Sequence, residues 1–527
     1  MLFYDIYISG EGEIMDTVYG RNQKIKGRLQ NNFDLDYAFL EKALENSGDM
    51  VKNVFYAGDG KTRAVAIYVD GLTDSQTLQD FVIRPLQETV LEGRNNLLSF
   101  VENHVLETVD WKSVETYEDA LTDILSGNSL LLVEGCEKAV SLSTKNFPSR
   151  GVGETQQEMV MRGPKDSFTE NFRTNTALIR RRIRDPRLKM EHTKVGERSK
   201  TDIAICYVED LVEPELLDKI RKKVKEISLD GIFDGGMVEQ LMEKNPWTPF
   251  PQFQHTERPD KAASGLLEGR IVLVVDNSPG VLLLPVTYGM FFQAGDDYYS
   301  RFEVASFARI LRFAAAVFAI GFPGLYVAIA GFHTEMLPTA FLLSIAQART
   351  GIVIPVVLEV LLMEFQFELL REAGIHIPGQ LGGTIGIVGG LIVGQAAVDA
   401  GIVSTIVVIV VSFTAIASFI VPSEAFGAVF RLLKFLFIFV AALWGIYGYL
   451  LLFAALLFHL AQLESFGVPY MLPSVCGGHL DYDARKDEYL RYPLRFMKKR
   501  PLFTREGRRI RRKPASQDPQ KKGEGNH

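Results

Sequence analysis

The chain is short of what a catalytic or metal centre needs. Its 527 residues include three cysteines, Cys136, Cys206 and Cys476, and eight histidines. The cysteines lie far apart, form no CxxC pair and gather with no other ligand residues. That spacing argues against a zinc site or a disulfide framework and leaves buried or reduced thiols in a cytoplasmic compartment. His104, His192 and His255 are scattered. There is no Walker A motif, no G-x-G-x-x-G after a strand, no H-E-x-x-H and no G-x-S-x-G. No enzyme activity, cofactor or metal is therefore expected. Met1–Gly10 is short, mixed and followed by acids, which is not the pattern of a cleaved signal peptide. The formal net charge of −7 argues against a nucleic-acid partner.

Charge is also missing from four stretches of the second half: Phe313–Phe332, Leu381–Val398, Ile402–Val421 and Leu436–Phe458, of 18 to 23 residues each. About 20 apolar residues, rising 1.5 Å each, cross roughly 30 Å of hydrocarbon. Each run is long enough to span a bilayer. The first three hundred residues read instead as a charged, soluble protein.

That soluble half repeats itself. Ala64–Leu72 and Asp202–Leu211 each read as a buried strand ending in an acidic turn. A helical pattern follows each, Ser75–Leu91 and Pro214–Ile227. Leu125–Glu134 and Leu267–Asp276 each hold a Gly, a five-residue β run and a turn, at Gly135 and at Asn277–Gly280. Second strands follow at Ala139–Ser143 and Val281–Leu284. Two α/β subdomains of similar fold are expected. Between them, a connecting helix is expected over Asp166–Ile183, stopping before Asp185–Pro186. Its basic run Arg180–Arg184 reads either as a solvated face or as a membrane-surface or phosphate contact.

Flanking charge suggests the topology. Arg309 and Arg312 precede the first span, which puts the soluble half in the cytoplasm. The tail carries Arg495, Lys498, Lys499, Arg500, Arg505, Arg508, Arg509, Arg511, Arg512 and Lys513 against the acid Glu506, and is expected inside as well. Two inside termini need an even number of spans, and four satisfies that. Arg431 and Lys434 then fall outside. Making Pro355–Leu370 a fifth span would bring them inside and export the tail. A kink is expected at Phe322–Pro323–Gly324. His333 and Glu335, just after this span, read as an interfacial pair.

Pro355–Glu372 places Glu359, Glu364, Glu368 and Glu372 among Val, Leu, Met and Phe. Glu364, Glu368 and Glu372 share one helical face, with Glu359 roughly 140° from Glu364. Carboxylates at membrane depth face protein or water. In an oligomer this face would stack acidic rings for cations, with Leu361, Leu362 and Phe365 as an apolar gate. The other reading is a helix lying flat at the interface. Gly382, Gly386, Gly390 and Gly394, at strict spacing of four, form a stripe suited to helix packing.

Several stretches resemble the A subunit of GerA-type spore germinant receptors. They include Arg162–Gly163–Pro164, Leu178–Arg182, Thr256–Glu257–Arg258–Pro259–Asp260 and Glu268–Gly269–Arg270. In the membrane half they include Phe332–Pro338, Leu361–Glu364, Leu370–Gly374 and Ile385–Gly394, and in the tail Lys498–Pro501. The resemblance runs roughly from residue 30 to 513. It implies a multi-pass protein of the spore inner membrane that acts with a transporter-like B subunit and a lipoprotein C subunit. It also implies a homo-oligomer that forms a nutrient-gated cation pathway and triggers germination, with the acidic helix as the pore segment. A membrane-anchored scaffold without its own pore and a secondary transporter are the alternatives.

The expected fold is therefore an α/β soluble region of two tandem similar subdomains, then an all-α polytopic membrane domain of about four spans plus an amphipathic or pore helix, then a basic tail. The boundaries are 1–30 for a variable N-terminal segment, 31–160 for subdomain 1, 161–295 for the linker helix and subdomain 2, 305–460 for the membrane domain, and 461–527 for a cytoplasmic tail with a disordered end.

Overall fold

Alternation of apolar residues builds two sheets of the same design. The computed structural model describes residues 27–90, 101, 110–147, 158, 160–376, 381–475 and 485–511, without the side chains of 375, 376, 381–388 and 391. Cys476, His104, Arg512, Lys513, most of segment 1–30, the tail end and the surroundings of Gly382 and Gly386 lie outside the described residues.

In the first sheet, β1 (Met50–Tyr56), β2 (Arg63–Val69), β3 (Trp111–Val114), β4 (Ser129–Val133) and β5 (Ala139–Leu142) stand in the order β1-β2-β4-β5-β3. In the second, β6 (Leu188–Val195), β7 (Thr201–Val208), β8 (Gln254–Thr256), β9 (Ile271–Val275) and β10 (Val281–Leu284) stand in the order β6-β7-β9-β10-β8. Raising each label of the first by five gives the second. All neighbours in both sheets are antiparallel. The sequence-matched stretches Ala64–Leu72 and Asp202–Leu211 hold β2 and β7, which occupy the same place in the two sheets.

Side chains alternate across a strand, so each sheet is covered on both faces. Val65 and Ile67 pack with the helices Phe33–Ala43 and Tyr117–Leu125, while Ala64 and Ala66 pack with Leu78, Val82 and Leu86. Ala204 and Cys206 meet the helices Phe172–Arg182 and Pro259–Leu267, while Ile203 and Ile205 meet Pro214–Lys225 and Gly235–Met242. Burial pushes the Cys206 thiol well above its ordinary range, so it stays a neutral core group.

The connecting helix is shorter than the sequence suggests. It covers Phe172–Arg182, because the Asn171 side chain accepts from the Thr174 N–H at 2.9 Å and caps it there. Its basic run is divided: Arg181 and Arg184 are exposed, while Arg180 and Arg182 are held by carboxylates. Arg180 is fully buried and donates to both oxygens of Asp49 in the first subdomain, at 2.8 and 2.9 Å. Arg182 donates to Asp166, and Arg181 lies over the Phe147 ring. The run bolts the subdomains together where Ser47 bridges Met190.

The helical half stands on an aromatic base. Phe250, Phe291, Phe292, Phe426, Phe430 and Tyr470 are buried together, with the Phe292 and Phe313 rings 4.0 Å apart. Arg309 and Arg312, expected as topology signals, are partners in this base. Arg309 is fully buried and donates to Asp297 at 2.9 Å and to Asp487 of the tail at 2.7 Å, and Arg312 shares Asp297. The tail then returns to the second subdomain. The Arg505 N–H donates to the Leu211 carbonyl at 3.0 Å, and the Thr504 hydroxyl to that of Glu268 at 2.7 Å.

Above the base, the helix Phe302–Phe332 continues through Pro323. Neighbouring helices hold such a residue in place where lipid would not. The helix Thr339–Ala348, unforeseen in the sequence, follows, with the His333 imidazole 3.4 Å from a mostly exposed Glu335. Then come an acidic helix, Val356–His376, a glycine helix, Leu381–Asp399, and a short helix, Thr405–Phe419. The last helical stretch, Glu424–Gln462, contains the run Leu436–Phe458 that reads as a single span. The chain turns back inside it at Gly445, with φ 59° and ψ −144°.

Contacts trace that reversal. Before it, Gly324 lies against the Phe437 backbone; at the turn, Gly445 meets Phe332 and His333. After it, the Tyr449 hydroxyl meets Gly321 and its ring lies 5.2 Å from that of Phe437, and Leu456 and Leu460 rejoin Phe426 and Phe430 at the base. Residues 424–444 and 446–462 are therefore two arms of about 31 and 25 Å. Only glycine adopts that conformation without strain, so Gly445→Ala is expected to lower stability by about 1–3 kcal/mol. Thermal unfolding of the detergent-solubilised chain checks this, and an unchanged transition counts against the reversal.

Candidate functional site: the acidic helix and its cations

Pro355 precedes the acidic helix, and its carbonyl accepts the first helical hydrogen bonds, from the Leu358 and Glu359 N–H groups at 2.9 and 3.1 Å. One side of the helix is sealed: Val356, Glu359, Val360, Met363 and Glu364 are buried. The opposite side presents Leu358, Leu362, Phe365 and Leu369, with Phe365 59% exposed. Leu361 is half-buried, against the core of the helical half.

The carboxylates are dealt with by cations of the same chain. Glu359 is fully buried. One oxygen accepts from Arg349 Nε at 3.2 Å and the other from the Ser404 N–H at 2.8 Å. Arg349 caps the end of helix Thr339–Ala348, and Ser404 caps the start of Thr405–Phe419. Glu359 thus ties three segments at one point.

Five residues on, Glu364 is also fully buried, with Lys434 Nζ 2.6 Å from Oε2. The approach is close but poorly aligned, so it is an ion pair rather than a hydrogen bond. Lys434 donates to Glu368 Oε1 at 3.0 Å, and Arg431 stands 3.7 Å from the other oxygen. Glu372 is exposed.

Arg431 and Lys434 are therefore not loop charges. They sit on the rising arm of the last hairpin, one turn apart, and meet Glu364 and Glu368, also one turn apart. Three carboxylates face three cations, so this part of the helix is close to neutral. Charges held in that way resist leaving for a low-dielectric surround. Sequence reasoning missed Arg349, Ser404, Arg431 and Lys434. The available signal was a basic pair at i, i+3 beside an apolar run, matched to an acidic pair at i, i+4.

The glycine stripe meets ordinary packing where it is described. A Cβ on Gly390 would lie 3.9 Å from Leu370, and one on Gly394 3.6 Å from Val408. The tighter contact on this helix is at Gly389, 3.1 Å from Leu370. Closer helix approaches run through Gly321 and Gly324, where a Cβ would fall 2.2 Å from the Tyr449 hydroxyl and 2.9 Å from the Phe437 carbonyl oxygen.

The family model described as Bacillus/Clostridium GerA spore germination protein matches residues 38–503. The chain belongs to this GerA family. It is similar to spore germination protein B1 of Bacillus subtilis (strain 168), 37% identical over 484 residues, which are 91% of this chain and 97% of that one. It is also similar to spore germination protein KA of the same organism, 38% identical over 466 residues, 88% of this chain and 85% of the other. Among solved structures it is similar to the N-terminal domain of the A subunit of the Bacillus megaterium spore germinant receptor GerK3. That match is 31% identical, covers 50% of this chain and 98% of the other, and has a TM-score of 0.40. Among the described residues of this GerA-family chain, the helix Phe302–Phe332 and the stretch Glu424–Gln462, which holds the reversal at Gly445, are long and apolar enough to cross a membrane.

Proposed function

We propose that this chain is the A subunit of a nutrient germinant receptor in the spore inner membrane. Several copies form a nutrient-gated cation pathway there, acting with a transporter-like B subunit and a lipoprotein C subunit, and its opening triggers germination. The similarity to spore germination proteins along nearly the whole chain carries this reading. The exposed stripe Leu358, Leu362, Phe365 and Leu369 supports a pathway between copies, since it leaves an apolar face of the acidic helix uncovered by the described residues. Contact of the tail with the second subdomain supports a multi-pass arrangement with an even number of crossings and both ends on the cytoplasmic side.

Leu362→Ala and Phe365→Ala test the pathway, because both side chains are exposed among the described residues. Each is expected to change the rate of cation release on nutrient addition several-fold, with unchanged protein in the membrane. Unaltered release in both variants would refute the pathway. A membrane-anchored scaffold without a pore is the second reading. It is favoured by the pairing of Glu359, Glu364 and Glu368 within the chain, which removes the charge an acidic ring needs. A chimera with foreign spans that still supports germination would select it.

A further inference from the structure

A cavity of about 400 Å³ opens beside the end of the last helical arm, lined by Lys219, Lys222, Lys223, Lys244, Glu464 and Phe466. Glu226 also borders it. Four lysines therefore face two carboxylates. Lys244 reaches Glu464 at 3.2 Å, Lys222 stands 3.9 Å from Glu226, and the side chains of Lys222 and Lys244 remain 79% and 64% exposed. The surplus of positive charge belongs to a place rather than to the chain, whose net charge is negative.

The place is the foot of the helical half. The returning arm ends at Gln462, and the short strands Glu464–Ser465 and Val468–Pro469 follow at once. On the other side, the loop after Lys244 leans on that arm: the Thr248 hydroxyl is 2.8 Å from His459 Nε2, and the Phe250 ring lies beside the His459 ring. Between Lys244 and Thr248, Trp247 projects with 97% of its surface exposed. A fully bare tryptophan is poorly placed in water but well placed at a membrane interface, where its ring sits at headgroup level. Lysines beside it can run their stems along apolar surface and hold their ammonium groups among phosphates.

We infer that this groove, with Trp247 as its anchor, binds the phosphate headgroup of an anionic lipid and seats the second subdomain on the bilayer. The inference rests on the membrane-crossing reading of the apolar helices. Lys219, Lys222 and Lys244 supply the charge, and Phe466 lines the apolar wall.

Native mass spectrometry of the full-length chain in detergent tests this, with titrations of short-chain phosphatidylglycerol, short-chain phosphatidylcholine and inorganic phosphate. The wild type is expected to retain phosphatidylglycerol in preference to phosphatidylcholine. Lys222→Gln and Lys244→Gln should each weaken that retention about fivefold, and the triple change with Lys219→Gln roughly a hundredfold. Trp247→Ala should weaken it for both lipids. Lys194→Gln, on the edge strand β6 of the second sheet, should leave it unchanged. Equal retention by wild type and triple variant would overturn the site. So would equal binding of the two lipids, or displacement of the lipid by inorganic phosphate at comparable concentration. Release of the chain from vesicles by alkaline carbonate would instead refute the membrane-crossing reading itself. A chain that stays embedded but shows no lipid preference refutes the headgroup site alone.

Discussion

Lys434→Met is expected to destabilise the chain by about 3–5 kcal/mol, because it leaves a buried carboxylate with no counter-charge. Glu364 has no exposed surface and Lys434 is its cation. Arg431 can take over Glu368, from which it is 3.7 Å away, but it is not paired with Glu364. The double change Lys434→Met with Glu364→Met removes both charges and keeps the volume filled, so it should recover most of the loss. Thermal unfolding in detergent measures the cycle. A single-variant loss below about 1 kcal/mol would mean the pair is wet, as surface pairs are. The same cycle bears on the pathway. If the proposed cation pathway exists and the acidic helix moves as it opens, Lys434 and Glu364 must separate or travel together, and the double variant should release cations with a changed threshold.

The soluble repeat was legible because local rules agree there. A five-residue apolar strand closed by a turn, and a strand ending in an acidic turn before a helix, recur in the same order and build the same sheet twice. The helical half hides more. A uniformly apolar run fixes a helix but not its direction, so nothing in Leu436–Phe458 marks Gly445 rather than Gly448 as the turning point. Pro323 looked the better break, yet the helix continues through it, with close approaches at Gly321 and Gly324. Charges were the least legible element. The sequence gives the sign of Arg431, Lys434, Arg309 and Arg312 but not what stands 3 Å away. All four read as topology markers, and all four are partners of specific carboxylates. The acidic helix was placed correctly as a helix, while the fate of its acids depended on Arg349, ten residues before Glu359, and on Arg431 and Lys434, more than 60 residues beyond Glu364 and Glu368.

Arg180→Met should cost a similar amount, about 3–5 kcal/mol, for the same reason applied between subdomains. The Asp49 side chain is 1% exposed and receives both guanidinium bonds, and Arg180 Nη1 also donates to the Leu188 carbonyl at 2.8 Å. Loss of the arginine strands the carboxylate and frees that carbonyl at once. The double change with Asp49→Leu should be nearly neutral in global stability. The two outcomes separate in amide exchange at the joint: the Gly48 N–H donates to the Met190 carbonyl at 2.9 Å, so its exchange should quicken in the single variant and recover in the double. Unchanged exchange at Gly48 would show that the parallel bridge at Ser47 holds the subdomains without Arg180. The second subdomain is fixed separately to the aromatic base and the tail. A loosened joint therefore frees the first subdomain alone, and any change in germination that follows reports on what the first subdomain contributes to the receptor.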